Sequence, residues 1–140
     1  MTETHTLLLH VPPRGELSGF WQPITGGIES EEDAAAAAAS REIREETGLR
    51  VCPFRSTQIA SDVHVKISDE LVINKTLFHV SIEQFAVQLS PSEHDDSRYV
   101  LHDEVESWLF WPSNVHTWKL AWAYVRKIAP ELTDSLWPNP

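Results

Sequence analysis

Between Gly26 and Leu49 the chain reads GGIESEEDAAAAAASREIREETGL, and this stretch constrains the fold more than any other. Ser30 offers a side-chain oxygen to cap a helix, and Glu31, Glu32 and Asp33 place negative charge on its first turn, where the helix dipole favours it. Alanines from Ala34 to Ala39 follow, with the highest helix propensity of any residue. Gly48 stands where a left-handed C-terminal cap belongs. Together these predict a helix over residues 30–47.

The end of that helix carries a chemical oddity. Glu42, Glu45 and Glu46 stand at i, i+3 and i+4, so at about 100° per residue they share roughly a third of the circumference. Like charges at this spacing cost a helix roughly 0.2–0.5 kcal/mol per pair, and something must offset that cost. An isolated E-x-x-E-E is most simply a solvated acidic face. A cluster of hard oxygen ligands for Mg²⁺ or Mn²⁺ is the alternative. Arg41, one turn before Glu45, can hold a carboxylate rotamer. Ala36, Ala39 and Ile43 form a stripe expected to face a sheet, and Ala35 and Ala38 lie beneath the carboxylates.

Strands are expected at residues 6–11, 20–24, 51–54, 58–65, 71–73, 76–82, 85–89 and 99–101, with a polar loop over 90–97. A second helix is expected over 118–128, with Leu120, Tyr124 and Ile128 on one face and Trp118, Trp122 and Val125 beside it. The tail after Pro130 reads as irregular. No internal repeat or linker interrupts the pattern, so the 140 residues are expected to form a single α/β domain, large enough to bury a core.

The formal net charge of −10, with no basic stripe, argues against nucleic acid or an anionic membrane as partner. It makes a polyphosphate partner plausible only if bound metal supplies the positive charge. Cys52 stands alone, which excludes an intrachain disulfide and a cysteine metal cluster. With no apolar run long enough to span a membrane and no signal peptide, a cytoplasmic location is expected. His10, His64, His79 and His102 show no ligand spacing and read as structural or exposed. Phe20, Trp21 and Phe78 are candidates to stack on a base, although aromatics in strands are more often core. Arg14 reads as a loop arginine, with phosphate contact as its functional alternative.

The acidic helix gains its meaning from its surroundings. Gly27, Arg41, Glu42, Ile43, Glu45, Glu46, Gly48 and Leu49 fall in register with the Nudix box, G-x5-E-x7-R-E-U-x-E-E-x-G-U, where U is aliphatic. Asp33 stands where the box has Glu, a position the family uses structurally. The chain thus resembles the Nudix hydrolases. Phe20-Trp21-Gln22 before Thr25-Gly26-Gly27, Glu93-His94 before Arg98-Tyr99-Val100, and Trp111-Pro112-Ser113-Asn114 look like the dihydroneopterin triphosphate and dATP diphosphatase branch. Ser97 and Tyr99 replace two aromatics of that branch's pattern.

The resemblance implies an α/β/α sandwich with a mixed sheet. It implies hydrolysis of a nucleoside triphosphate, or another nucleoside diphosphate bearing a further group, to a monophosphate product. It implies Glu42, Glu45, Glu46 and Glu93 as metal-binding carboxylates and the Gly26 carbonyl as a further ligand. Arg41 would orient the glutamates, and Glu42 or Glu93 would serve as general base. Nudix domains usually carry a strand and hairpin before the segment that matches Leu7–Leu9. Only six residues stand there, which leaves either a sheet without its first strand or an edge covered by another chain, as in a homodimer. Two further readings use the same fold. A nucleotide-binding regulator often loses the box glutamates that this chain keeps, and an isopentenyl diphosphate isomerase needs a catalytic cysteine motif that Cys52 does not form.

Overall fold

A computed structural model of the chain describes residues 1–26, 35–50 and 57–128. Gly27, Asp33, the expected first turn at residues 30–34, the expected strand at 51–54 with Cys52, and the tail after Pro130 lie outside the described residues. Among those described, the strands form two ladders. β1 (His5–Val11) is the centre of the first, flanked by β2 (Phe20–Gln22) and β5 (Asp96–Leu101), both antiparallel to it. β3 (Thr57–Lys66) and β4 (Val72–His79) form the second, antiparallel and with register shifts between Gln58 and Val63. A parallel bridge joins Trp21 to Leu109. α1 spans Ala35–Thr47, a short α2 spans Val105–Trp108, and α3 spans Pro112–Ile128.

The alternation of β1 explains little of its burial, because Leu7, Leu8 and Leu9 are all buried. Such a continuous apolar run belongs to a strand covered on both faces. Leu8 meets Val100, Val105, Leu109 and Trp118 in the main core, with Trp21, Trp108 and Trp122 packed around it. A smaller cluster joins Ile59 of β3 to Val125 of α3.

Several expectations need correction. The two strands expected at 71–73 and 76–82 are replaced by one, β4, which spans Val72–His79 and leaves Leu71 and residues 80–82 outside it, and α3 begins six residues earlier than its periodicity indicates, at Pro112. Pro is well tolerated there because a first-turn N–H has no intrahelical hydrogen bond to lose. The buried face of α3 is Trp118 and Val125, with Trp122 stacked on Trp118 at 5.6 Å, whereas Tyr124 is exposed beside Lys127.

Residues 85–89 form no strand. Their backbone is satisfied elsewhere: Phe85 N–H donates to the Tyr99 hydroxyl, which in turn donates to Phe85 O, and Gln88 N–H donates to Thr47 O at the end of α1. The N-terminal segment is also tied down. The Met1 amine donates to Val80 O at 2.8 Å, and Met1 O accepts from Ile82 N–H at 2.8 Å. No helix among the described residues is long and apolar enough to cross a membrane.

Candidate active site

α1 ends as its sequence dictates. Gly48 has φ +81 and its N–H reaches Arg44 O at 2.9 Å, the left-handed cap that glycine accepts without strain. Thr47 is buried and its hydroxyl donates to Ile43 O. The cap matters because it fixes the last turn, which carries the carboxylates.

Arg41 then sorts those carboxylates. Its guanidinium donates to Glu42 Oε1 at 2.9 Å and to Glu45 Oε2 at 3.0 Å. Glu45 stays half-exposed and lies outside the cavity described next. Glu46, four residues after Glu42, is 4% exposed, and its Oε2 has no hydrogen-bond partner. Burial first, and then the charges of Glu42 and Glu93, push the Glu46 carboxyl up to about 8, against a hydrogen bond from the Thr25 backbone. Burial also raises Glu42, with Arg41 opposing. A bound cation would relieve both.

Glu42 and Glu46 share a cavity of about 360 Å³ with Val11, Arg14, Phe20, Gln22, Thr25, Gly26, Glu93 and His94. Gly26 has no room for a side chain, because a Cβ there would overlap the Glu42 carboxyl. Opposite α1, the loop after residue 89 delivers Glu93 and His94. One ligating atom from each of Glu46, Glu93 and His94 lies within 4.8 Å of the others. Burial lowers the pKa of His94, with the charge of Glu93 opposing. This loop is fastened at both ends. Arg14 donates to Ser92 O at 2.9 Å, and Asp95 meets His10 Nδ1 at 2.6 Å.

The cavity opens into a larger cleft, about 1220 Å³, which shares Phe20, Gln22, Thr25, Gly26 and Glu42 with it. Ala35, Ala38 and Ala39 line the cleft together with Ile43, so small side chains border the route to the carboxylates. Phe78, Trp111, Asn74 and Lys75 line it farther along. Lys75 donates to Thr117 Oγ1 at 3.3 Å, and burial lowers its pKa. Phe20 lies edge-on to Trp111 at 5.6 Å. Trp21, by contrast, is packing, held between His10 and Trp108.

The structure therefore brings together Gly26, Glu42, Glu46 and Glu93, and sets Arg41 and Glu45 beside them. His94 is the neighbour that sequence reasoning passed over. The sequence marks it only through the Glu93-His94 pair, and a lone histidine in a polar loop gives no spacing signal.

A family model described as NUDIX domain matches residues 2–120. An octanoyltransferase from Myxococcus xanthus is 57% identical over 44 residues, 31% of this chain, and the chain spans only 12% of that relative's length. The ORF135 protein of E. coli superposes with a TM-score of 0.69 at 22% identity, over 91% of this chain and 85% of that one. The E. coli dihydroneopterin triphosphate pyrophosphohydrolase gives 0.65 at 20% identity, over 82% of this chain and 83% of that one. At such identities the two structures establish likeness of fold.

Proposed function

This chain belongs to the Nudix family, and we propose that it is a pyrophosphohydrolase of nucleotide derivatives that hydrolyses an internal phosphoanhydride of a nucleoside triphosphate in a divalent-metal-dependent reaction. Other nucleoside diphosphates bearing a further group fall within the same reading. The observation that carries it is the buried Glu46 Oε2 without a partner, set against Glu93 and His94 in a cavity that also holds Glu42. A buried carboxylate oxygen without a partner is costly, and three acidic side chains around one small space cost more still. That donor set fits Mg²⁺, with Mn²⁺ as a substitute, held among Glu42, Glu46, Glu93 and the Gly26 carbonyl; Glu45 joins them if Arg41 releases it.

When bound, the metal neutralises charge that develops on the phosphate oxygens during attack by water. The remaining tasks fall to the chain. Arg41 holds Glu42 and fixes the direction of its carboxylate. Glu93, on a loop fastened by Arg14 and the His10–Asp95 pair, is placed to accept the proton of the attacking water, and Glu42 is the other candidate for this role. Phe20 and Phe78 offer apolar ring surface to the nucleoside side of the substrate in the cleft. The resemblance of the Glu93-His94 segment makes dihydroneopterin triphosphate and dATP the first compounds to test.

The experiment is a panel of nucleoside triphosphates, dinucleoside polyphosphates and nucleotide sugars with Mg²⁺ or Mn²⁺, products being identified by phosphorus NMR. A monophosphate and pyrophosphate from a triphosphate, abolished by a chelator, is the expected result. Release of orthophosphate alone, or turnover that survives complete chelation, would overturn the reading.

A further inference from the structure

His94 has no task in the scheme above, yet its surroundings are specific. The side chain is 3% exposed and lines the carboxylate cavity, and its Nδ1 has no hydrogen-bond partner. A buried ring nitrogen without a partner forfeits its hydration for no visible return. The position of the ring is also well determined. The N–H groups of Glu93 and His94 both donate to Ser90 O at 3.0 Å, Asp95 N–H donates to His10 O at 3.1 Å, and Arg14 grips Ser92 O. The loop thus presents the ring from a backbone anchored to β1 and to the turn that follows it.

We propose that His94 is a nitrogen ligand, through Nδ1, of the ion that Glu46 and Glu93 hold, so that this site prefers a first-row transition ion such as Mn²⁺ over Mg²⁺. The inference rests on the metal-site reading above and specifies its chemistry. Mg²⁺ is a hard ion served by oxygen ligands and water, whereas imidazole favours the transition ions. Gln22 completes the arrangement. Its side-chain nitrogen lies 3.5 Å from His94 Nε2, and the amide turned end for end sets its oxygen there instead. That oxygen accepts a hydrogen bond from Nε2–H and leaves the Nδ1 lone pair for the metal, the role that partners beyond the ligands commonly play for metal-bound histidines.

The test uses the full chain with Mn²⁺ alone. Pulsed EPR of the Mn²⁺-loaded protein is expected to show nitrogen modulation from a coordinated imidazole. His94→Gln and His94→Leu are expected to remove that modulation, to weaken Mn²⁺ binding about tenfold or more by calorimetry, and to change Mg²⁺ binding by about twofold or less. Mn²⁺ that binds the wild type without nitrogen modulation would overturn this inference while leaving the proposed function intact, and it decides the matter even if a variant fails to fold. An unchanged ratio of Mn²⁺ to Mg²⁺ affinity in folded variants would overturn it equally. Failure of the wild type to bind either ion would overturn the metal-site reading along with it.

Discussion

His102 and His94 lie at nearly the same depth, 0% and 3% exposed, but their surroundings treat them differently. Around His102 every polar atom has an answer. Nε2–H donates to the carbonyls of Thr2 and Glu3, Nδ1 lies 2.8 Å from the Thr6 hydroxyl, and the ring packs on Trp122 at 4.7 Å. Around His94, Nδ1 has no partner, and neither does Glu46 Oε2 nearby. The first arrangement knits the N-terminal segment, β1 and the turn after β5 into the core. The second leaves polar atoms waiting for something that the chain does not contain. Depth alone does not separate a structural histidine from a functional one; the account of its hydrogen bonds does.

The contrast can be broken most forcefully at Glu46. Glu46→Gln is expected to lower turnover by about a hundredfold or more while thermal stability without metal is kept, since a buried charge site becomes neutral. Steady-state kinetics and a thermal melt check both halves, and near-normal turnover would refute the assignment.

His102→Ala should behave in the opposite way. It leaves the Thr6 hydroxyl and two carbonyls unsatisfied and opens space beside Trp122, for a loss of about 2–4 kcal/mol in urea unfolding. Metal affinity per folded molecule should be unchanged.

Acid sharpens the same point. Burial lowers the His102 pKa from 6.5 to about 4, so as the pH falls the unfolded chain takes up the proton first. Its contribution to stability is whole above pH 6.5 and is lost progressively toward pH 4, in total about 3 kcal/mol at 1.36 kcal/mol per pKa unit. The Met1 amine and His5 both push in the same direction. Unfolding free energies at pH 7 and pH 4.5 should converge between wild type and His102→Ala as the pH falls, and a constant gap would count against this account.

The smallest effect is expected where neither kind of burial applies. Lys66 and Asp69 form an exposed pair at 3.2 Å, and Asp69→Ala should alter stability by no more than about 0.5 kcal/mol and activity not at all.

Much of this was legible in the sequence, for reasons that also mark its limits. The end of α1 was readable because cap, propensity and charge spacing are all local, and β1 and β3 because their apolar and β-branched runs are; β4 reads as two strands because Asn74 and Lys75 interrupt its apolar run. The alternation of Phe85, Val87 and Leu89 has the pattern of a strand, but its backbone partners are Thr47 and the Tyr99 hydroxyl, which only the folded chain brings near. The amphipathic pattern of α3 permits aromatic residues on two faces, and packing against β3 selects the face of Val125 over that of Tyr124. Within the site, spacing treats Glu42, Glu45 and Glu46 alike. It is the reach of Arg41 that ties back Glu42 and Glu45, while Glu46 Oε2 is left without a partner. The burial of His94 depends on contacts among β1, the turn carrying Arg14 and the loop after residue 89, and no local pattern encodes it.

In the proposed site, Glu46, Glu93 and His94 surround a divalent ion beside the bond that is cleaved. Anomalous diffraction at the manganese edge, from crystals holding Mn²⁺ and a non-hydrolysable triphosphate, tests it most directly. The account predicts a peak within roughly 2.0–2.3 Å of one ligating atom from each of the three residues, in contact with the phosphate chain. Manganese bound to the phosphates but remote from Glu46, with Glu93 and His94 turned away from it, would contradict the account.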